Sequence, residues 1–300
     1  MSSALNAVYA ELKRLQVEGI THVFIQDQTM ARLNPDTIQA TGNNISAPDN
    51  GIDLQAAVTH KTSVPKAAIQ SVKPTPVSTA MLAEAPIIEL PDGDPNTQMA
   101  WLKHTVEHCP VCKQQCGEQE QIVFGSGNID ADILWCGDAP DEAAAVSGKP
   151  FQGKSGELLN KILAAMGLKR ESVYMTHILK WRPKHEKTYA HRAPTPAEME
   201  YCRPFLKAQI DIVQPQVIVA LGNASVAGLL GSEPNRNMAS LRGTWQSFER
   251  IPLMFTFSPA YLLANDTIKT KRMVWEDMLK VMEKMELPIS DKQRQFFLPK

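Results

Sequence analysis

Four short apolar runs, at 133–136, 173–176, 217–221 and 253–257, are each long enough for one buried strand and no longer. Between and after them the apolar positions change period. Leu158, Leu159, Ile162 and Leu163 fall at helical spacing, and 196–213, 224–230 and 268–285 also read as helices. Strands that alternate with helices predict a parallel sheet covered on both faces, because each parallel connection needs a crossover and the crossover is usually a helix. Open sheets of this kind bind ligands at the carboxyl ends of their strands. Asp138, His177, Gly222 and Ser258 all stand at such ends.

The first hundred residues read differently. Leu5, Val8, Leu12 and Leu15 share one face of a helix over 4–18, Gly19 can end it, and a β-like run follows at 22–26. This predicts a small docking element over 1–33, with a possible protein partner. From 34 to 97 the chain fills with Pro, Thr, Ala, Ser and Asn, a composition that buries too little surface to offset chain entropy. A disordered linker is expected there. Order is expected to resume near Gln98, where Met99, Leu102 and Val106 share a helical face, with the globular part over 98–286 and a tail over 287–300.

Composition narrows the class. A 300-residue chain that is 43% hydrophobic and 21% charged suits a soluble protein with a sizeable core. No apolar run approaches bilayer-spanning length. The N-terminus has no basic segment followed by an apolar stretch, so a secretory signal is not expected and a cytoplasmic location is. Five cysteines do not make a disulfide framework. The net charge of −1 divides into −4 over residues 1–100 and +3 over 101–300, which permits nucleic-acid binding without arguing for it.

The chemistry is concentrated in 133–159, ILWCGDAPDEAAAVSGKPFQGKSGELL. The first strand runs into a turn, Gly137-Asp138-Ala139-Pro140, that exposes a carboxylate. Phe151 then precedes Gly153-Lys154-Ser155-Gly156 at the start of a helix, where free backbone N–H groups and a lysine suit an anion. The same segment is also compatible with an ordinary strand, loop and helix.

Taken in order, C-x-x-C, VFGSGN, ADILWCGDAP, GKPFQGKSGELL, VYMTHILKWRP, PTPAEMEYCRPFL, VIVALGNASVAGLLG, RGTW and TFSPAYLL resemble the iron–sulfur, family 4 uracil-DNA glycosylases over about residues 98–284. The resemblance implies a three-layer α/β/α sandwich with a central four-stranded parallel sheet, and a monomer that flips uracil or a related base out of DNA and hydrolyses its glycosidic bond. It assigns Asp138 to the catalytic carboxylate, Phe151 to the base-stacking ring with Gly137 and Ala139 beside it, His177 to the base reader and Ser258 to a donor facing the base. It further implies DNA contacts from Gly153, Lys154, Ser155, Gly156, Arg192, Arg242, Tyr261 and Leu262.

Several positions depart from the family's pattern. Asp138 stands for Glu, His177 for Asn, Ser258 for His, and Ala264 for an Arg that would meet a phosphate. Two readings follow: a pocket retuned but catalytic, or a non-catalytic DNA-binding or interaction protein with the same cleft. The loop over 184–192 is longer than the family's usual one and resembles that of a branch whose loop histidine attacks the sugar and traps DNA covalently. His191 occupies that place, and a solvated basic loop is the other reading.

The family's 4Fe-4S cluster implies cysteine ligands at Cys109, Cys112 and Cys202, but the fourth position is Trp181, which cannot ligate iron. Cys116 could complete a set of four, zinc could replace the cluster, or Trp181 could fill the space with no metal bound. Cys136 reads as a buried strand residue.

Overall fold

The computed structural model describes residues 82–184, 192–231 and 238–298, all within the unit Pro74–Lys300. The expected N-terminal element, most of the expected linker, and His191 lie outside the described residues. Among the described residues no helix is long and apolar enough to cross a membrane.

The elements, in chain order, are α1 (Pro95–Glu107), α2 (Pro110–Gln115), β1 (Ser126–Gly127), β2 (Ile133–Gly137), α3 (Glu142–Ser147), α4 (Gly153–Ala165), β3 (Tyr174–His177), α5 (Pro196–Val213), β4 (Val217–Leu221), α6 (Asn223–Leu230), α7 (Met238–Leu241), β5 (Trp245–Phe248), β6 (Ile251–Thr256), α8 (Pro259–Ala264), α9 (Ile268–Lys284) and α10 (Asp291–Arg294). The sheet has six strands in the order β1-β3-β2-β4-β6-β5. Its four central strands are parallel, as expected from the apolar runs. Two short antiparallel strands, β1 and β5, extend the edges beyond the expected four.

Alternation along each buried strand divides the core in two. Leu134, Cys136, Ile218, Ala220, Leu253 and Phe255 face one layer, with α1, α5 and α6; Ile133, Trp135, Val217, Val219 and Met254 face the other, with α4 and α9. Successive strand side chains point to opposite faces, so a run apolar at every position must be covered on both.

Order begins earlier than composition suggested. Asp94 caps α1 by accepting from the Asn96 and Thr97 N–H groups, and Pro95 suits the first helical position, so the helix starts at Pro95 rather than near Gln98. Leu82, Ile88 and Leu90 pack on the core without regular secondary structure, in a stretch that is itself mostly apolar although the longer 34–97 segment is polar. The expected tail is also docked: Leu287, Ile289 and Phe296 join the core, and Trp275 Nε1 donates to the Gln293 carbonyl at 2.6 Å.

Register places the site. Gly137 is level with His177 on one side and Leu221 on the other, and Leu221 is level with Thr256. The carboxyl ends of the four parallel strands therefore meet around one opening.

Candidate active site

A cavity of about 110 Å³ lies at that opening, lined by Gly137, Asp138, Ala139, Asp141, Phe151, Ser155, His177, Leu221, Ser258, Pro259 and Ala260. It brings together residues separated by more than a hundred positions in the chain.

Asp138 is fixed by the turn after β4. The Ser225 N–H, in the first turn of α6, donates to Asp138 Oδ1 at 2.5 Å. Gly222 makes this approach possible: a Cβ there would lie 2.4 Å from Asp138 Oδ2, and its φ of 106° is itself unfavourable to other residues. Loss of water around the carboxyl pushes its pKa up to about 6, against the opposing bonds from Ser225 and Ala224.

Phe151 forms a wall of the cavity in a strained conformation. Its φ is 50°, rare for a bulky side chain and worth about 1–3 kcal/mol of strain. The conformation is held from two sides. Gly156 lets the Phe151 carbonyl approach α4 so closely that a Cβ would overlap it at 2.0 Å, and Arg170 donates to the Pro150 carbonyl and to Asn160 Oδ1.

His177 ends β3 and is buried, its ring centroid 4.5 Å from that of Phe151 at an interplanar angle of 37°. Its Nδ1 is buried without a hydrogen-bond partner. Burial, reinforced by the positive charges of Lys180 and Arg170, brings its pKa down to about 3, so the ring is neutral. Ser258 caps α8: its Oγ accepts from the Tyr261 N–H at 3.2 Å, which leaves its own O–H free to donate.

The expected DNA contacts separate into two groups. Gly153, Lys154 and Ser155 begin α4, which has no side-chain cap, and they border a wider groove of about 580 Å³ that also carries Asp141 and Glu142. Gly156 is buried behind them and serves Phe151. Tyr261 is exposed and stacks on Phe257 with centroids 4.5 Å apart. Leu262, expected to meet DNA, is instead packed into the core, and Leu263 is the exposed leucine of the pair. In this six-residue helix Pro259 and Leu262, three residues apart, turn inward and leave Tyr261 and Leu263 outside.

Two expected phosphate-binding arginines are engaged within the protein. Arg192 makes a bidentate pair with Glu198, both bonds at 2.6 Å, in the capping box of α5. Arg242 pairs with buried Asp277 at 2.8 Å and lies 5.8 Å from the Phe257 ring centroid. In Arg192 the bidentate pair with a desolvated carboxylate occupies the donors that a phosphate would need, and Arg242 engages Asp277 through Nη1.

Lys180 went unnoticed in the sequence. It is fully buried, and its Nζ donates to Thr176 Oγ1 (2.8 Å), Gln209 Oε1 (2.8 Å), and the His177 (2.9 Å) and Phe124 (3.4 Å) carbonyls. Burial lowers its pKa to about 8, while the nearby Cys202, Cys136 and Cys112 act in the opposite direction. No local pattern marks it, since its acceptors come from three separate stretches of chain, at 124, 176–177 and 209.

The cysteine corner lies on the other side of this lysine. Cys109, Cys112 and Cys202 are buried, and Cys109 Sγ is 3.1 Å from Tyr201 Oη. Trp181 is fully enclosed, 6.3 Å ring to ring from Tyr201, while Cys116 is only half-buried. Among the described residues, no group of three or more His, Cys, Asp or Glu side chains is arranged to hold a metal ion. The ligand set that the resemblance assigns, Cys109, Cys112, Cys202 and the position of Trp181, is one thiolate short of the four that hold such a cluster.

Residues 124–279 match the family model described as the Uracil DNA glycosylase superfamily. A type-4 uracil-DNA glycosylase of Thermotoga maritima is 34% identical over 185 residues, covering 61% of this chain and 92% of that relative. One from Saccharolobus solfataricus is 35% identical over 186 residues, 59% of this chain and 82% of the relative. A DNA polymerase of Bacillus phage SP01 is 32% identical over 103 residues, 34% of this chain and 11% of that protein.

Proposed function

This chain belongs to the uracil DNA glycosylase superfamily, and from that premise we propose that it is a DNA glycosylase of base excision repair, hydrolysing the bond between the sugar and a flipped uracil. The observation that carries this reading is the convergence of Asp138, Phe151, His177 and Ser258 on one small cavity at the strand ends. A cavity that size takes a single heterocycle, so the base must leave the stack to enter.

In the reaction, water adds to the sugar C1′ as the bond to the base nitrogen breaks. The bonding electrons leave with the base, and the proton released by water ends on it. Positive charge develops on the sugar and negative charge on the base. Asp138, ionised above its raised pKa, serves the sugar side, where it stabilises the cation and orients or deprotonates water. His177 and Ser258 supply donors to the departing base, and Phe151 stacks on it. Lys154 and the uncapped start of α4 bind a flanking phosphate. The cysteine corner contributes packing, and no step runs through it.

The test is incubation of the full chain with single-stranded and duplex oligonucleotides containing uracil, followed by alkali. Strand breaks that vanish in Asp138→Ala and weaken in Phe151→Ala are expected. Equal background breakage in all three proteins would overturn the reading.

A further inference from the structure

An amide at the position of His177 would meet a pyrimidine edge with one donor and one acceptor, and so would read both a carbonyl oxygen and the neighbouring N3–H. A neutral imidazole presents only one of its nitrogens to the cavity, and what that nitrogen offers depends on the tautomer. The tautomer is ordinarily set by the bond that the other nitrogen makes. Here Nδ1 is buried and makes none. An orphaned buried N–H is the rarer and costlier defect, compared with an orphaned acceptor. The proton therefore belongs on Nε2, which leaves a bare lone pair on Nδ1 and a donor for the cavity. The ring has little freedom to do otherwise. Phe151 packs against it, and a Cβ at Gly137 would fall 2.7 Å from both His177 Cδ2 and Phe151 Cζ. Nor is a second proton accommodated, with Lys180 and Arg170 as the neighbouring charges and burial opposing ionisation.

Ser258 completes the pattern on the cavity wall. Its oxygen accepts from the Tyr261 N–H, and its O–H remains free to turn toward a ligand and donate. A donor-only His177 beside a hydroxyl that can donate makes a site for two carbonyl oxygens.

We propose that this pocket selects 2,4-dioxopyrimidines by their two oxygens through His177 and Ser258 and leaves N3 unread. The inference rests on the glycosylase reading for its substrate but not for its geometry. Uracil satisfies both donors. Cytosine fails, because its 4-amino group is itself a donor and would face the Nε2–H of His177, which cannot accept. 3-Methyluracil, which an amide reader would reject for want of an N3–H, is accepted.

Two measurements on the full chain decide this. In the first, long-range proton–nitrogen correlation of the ¹⁵N-labelled His177 ring is expected to show hydrogen on Nε2 and a bare Nδ1, unchanged between about pH 5 and pH 8. In the same spectrum, added uracil and 3-methyluracil bases shift the Nε2–H signal and cytosine does not. A proton on Nδ1, an imidazolium, or a cytosine response equal to that of uracil overturns the proposal. In the second, single-stranded oligonucleotides carrying each base are compared by strand cleavage. Wild type is expected to process 3-methyluracil within about tenfold of uracil, whereas His177→Asn widens that gap by about tenfold or more, one hydrogen bond's worth. Equal rejection of 3-methyluracil by both proteins overturns it as well. Cleavage absent for every base, with the ring signals behaving as expected, would sink the glycosylase reading and leave the donor-only His177 standing.

Discussion

The pocket and the cysteine corner lie on either side of Lys180 and use the same β3 and its extension in opposite ways. In the pocket, costly features persist: a bulky residue at positive φ, a carboxylate with a raised pKa, and a buried ring nitrogen with no partner. In the cysteine corner, thiols and a large indole fill the space, Cys109 meets Tyr201, and the Trp181 Nε1–H is also buried without a partner. An unpaired ring nitrogen is therefore common to both regions, and what sets the pocket apart is the positive-φ strain of Phe151 and the raised pKa of Asp138. Between the two regions Lys180 fastens β3 through Thr176 Oγ1, the His177 carbonyl and Gln209 Oε1.

The sharpest way to break this comparison is Asp138→Asn. Activity on uracil-containing DNA is expected to fall by about 10²–10⁴-fold, the usual worth of a positioned acid–base group. Stability should move the other way. The folded state holds the Asp138 proton more tightly than the unfolded chain, so its contribution favours low pH and is lost as pH rises from about 4 to about 6. Asp138→Asn removes that loss, and the midpoint of thermal unfolding at neutral pH should rise, as calorimetry would show. A fall in both activity and stability would return Asp138 to a structural role. For the wild type, the pH–activity profile should have its acid limb near pH 6.

Lys180→Met tests the element between the two regions. It strands several buried acceptors, and a loss of about 3 kcal/mol in denaturant unfolding is expected. A neutral result would mean that the network is replaceable by apolar packing. Phe151→Ala should raise KM by about tenfold, corresponding to one base-stacking contact, measured with single-stranded substrate. The smallest effect is expected at the cysteine corner. Prolonged chelation should change the unfolding midpoint by less than about 1 °C if the corner is held by packing around Trp181 rather than by a metal. Colour near the visible edge with stoichiometric iron, lost together with stability on chelation, would show that the corner holds a cluster after all.

Much of the fold was legible because its signals are local. Strands β2 and β4 announce themselves as uninterrupted apolar runs, and α5 starts at Thr195-Pro196 with Glu198 closing the capping box, each within a few residues. The edge strands β1 and β5 were not legible, since Ser126-Gly127 and the largely exposed 245–247 carry no burial pattern. The docking of 82–91 and 287–298 was missed for a related reason: the polar composition of the long 34–97 segment masks the apolar stretch at its end, and a few apolar residues such as Phe296 are easily lost in a polar tail.

The candidate site divides along the same line. Taken alone, the sequence determined which residue types stand at the strand ends, and the motif order assigned Asp138, Phe151, His177 and Ser258 to one pocket. The resemblance also implied that Trp181 stands where the family has its fourth thiolate. What only the tertiary structure decided is what each group is free to do. Asp138 is gripped by Ser225, the hydroxyl of Ser258 accepts from Tyr261, Arg192 and Arg242 are taken by Glu198 and Asp277, Leu262 faces inward, and Nδ1 of His177 is left unpaired. Hydrogen-bond capacity is finite and its partners here lie tens of residues away, so no reading of neighbouring residues could have apportioned it.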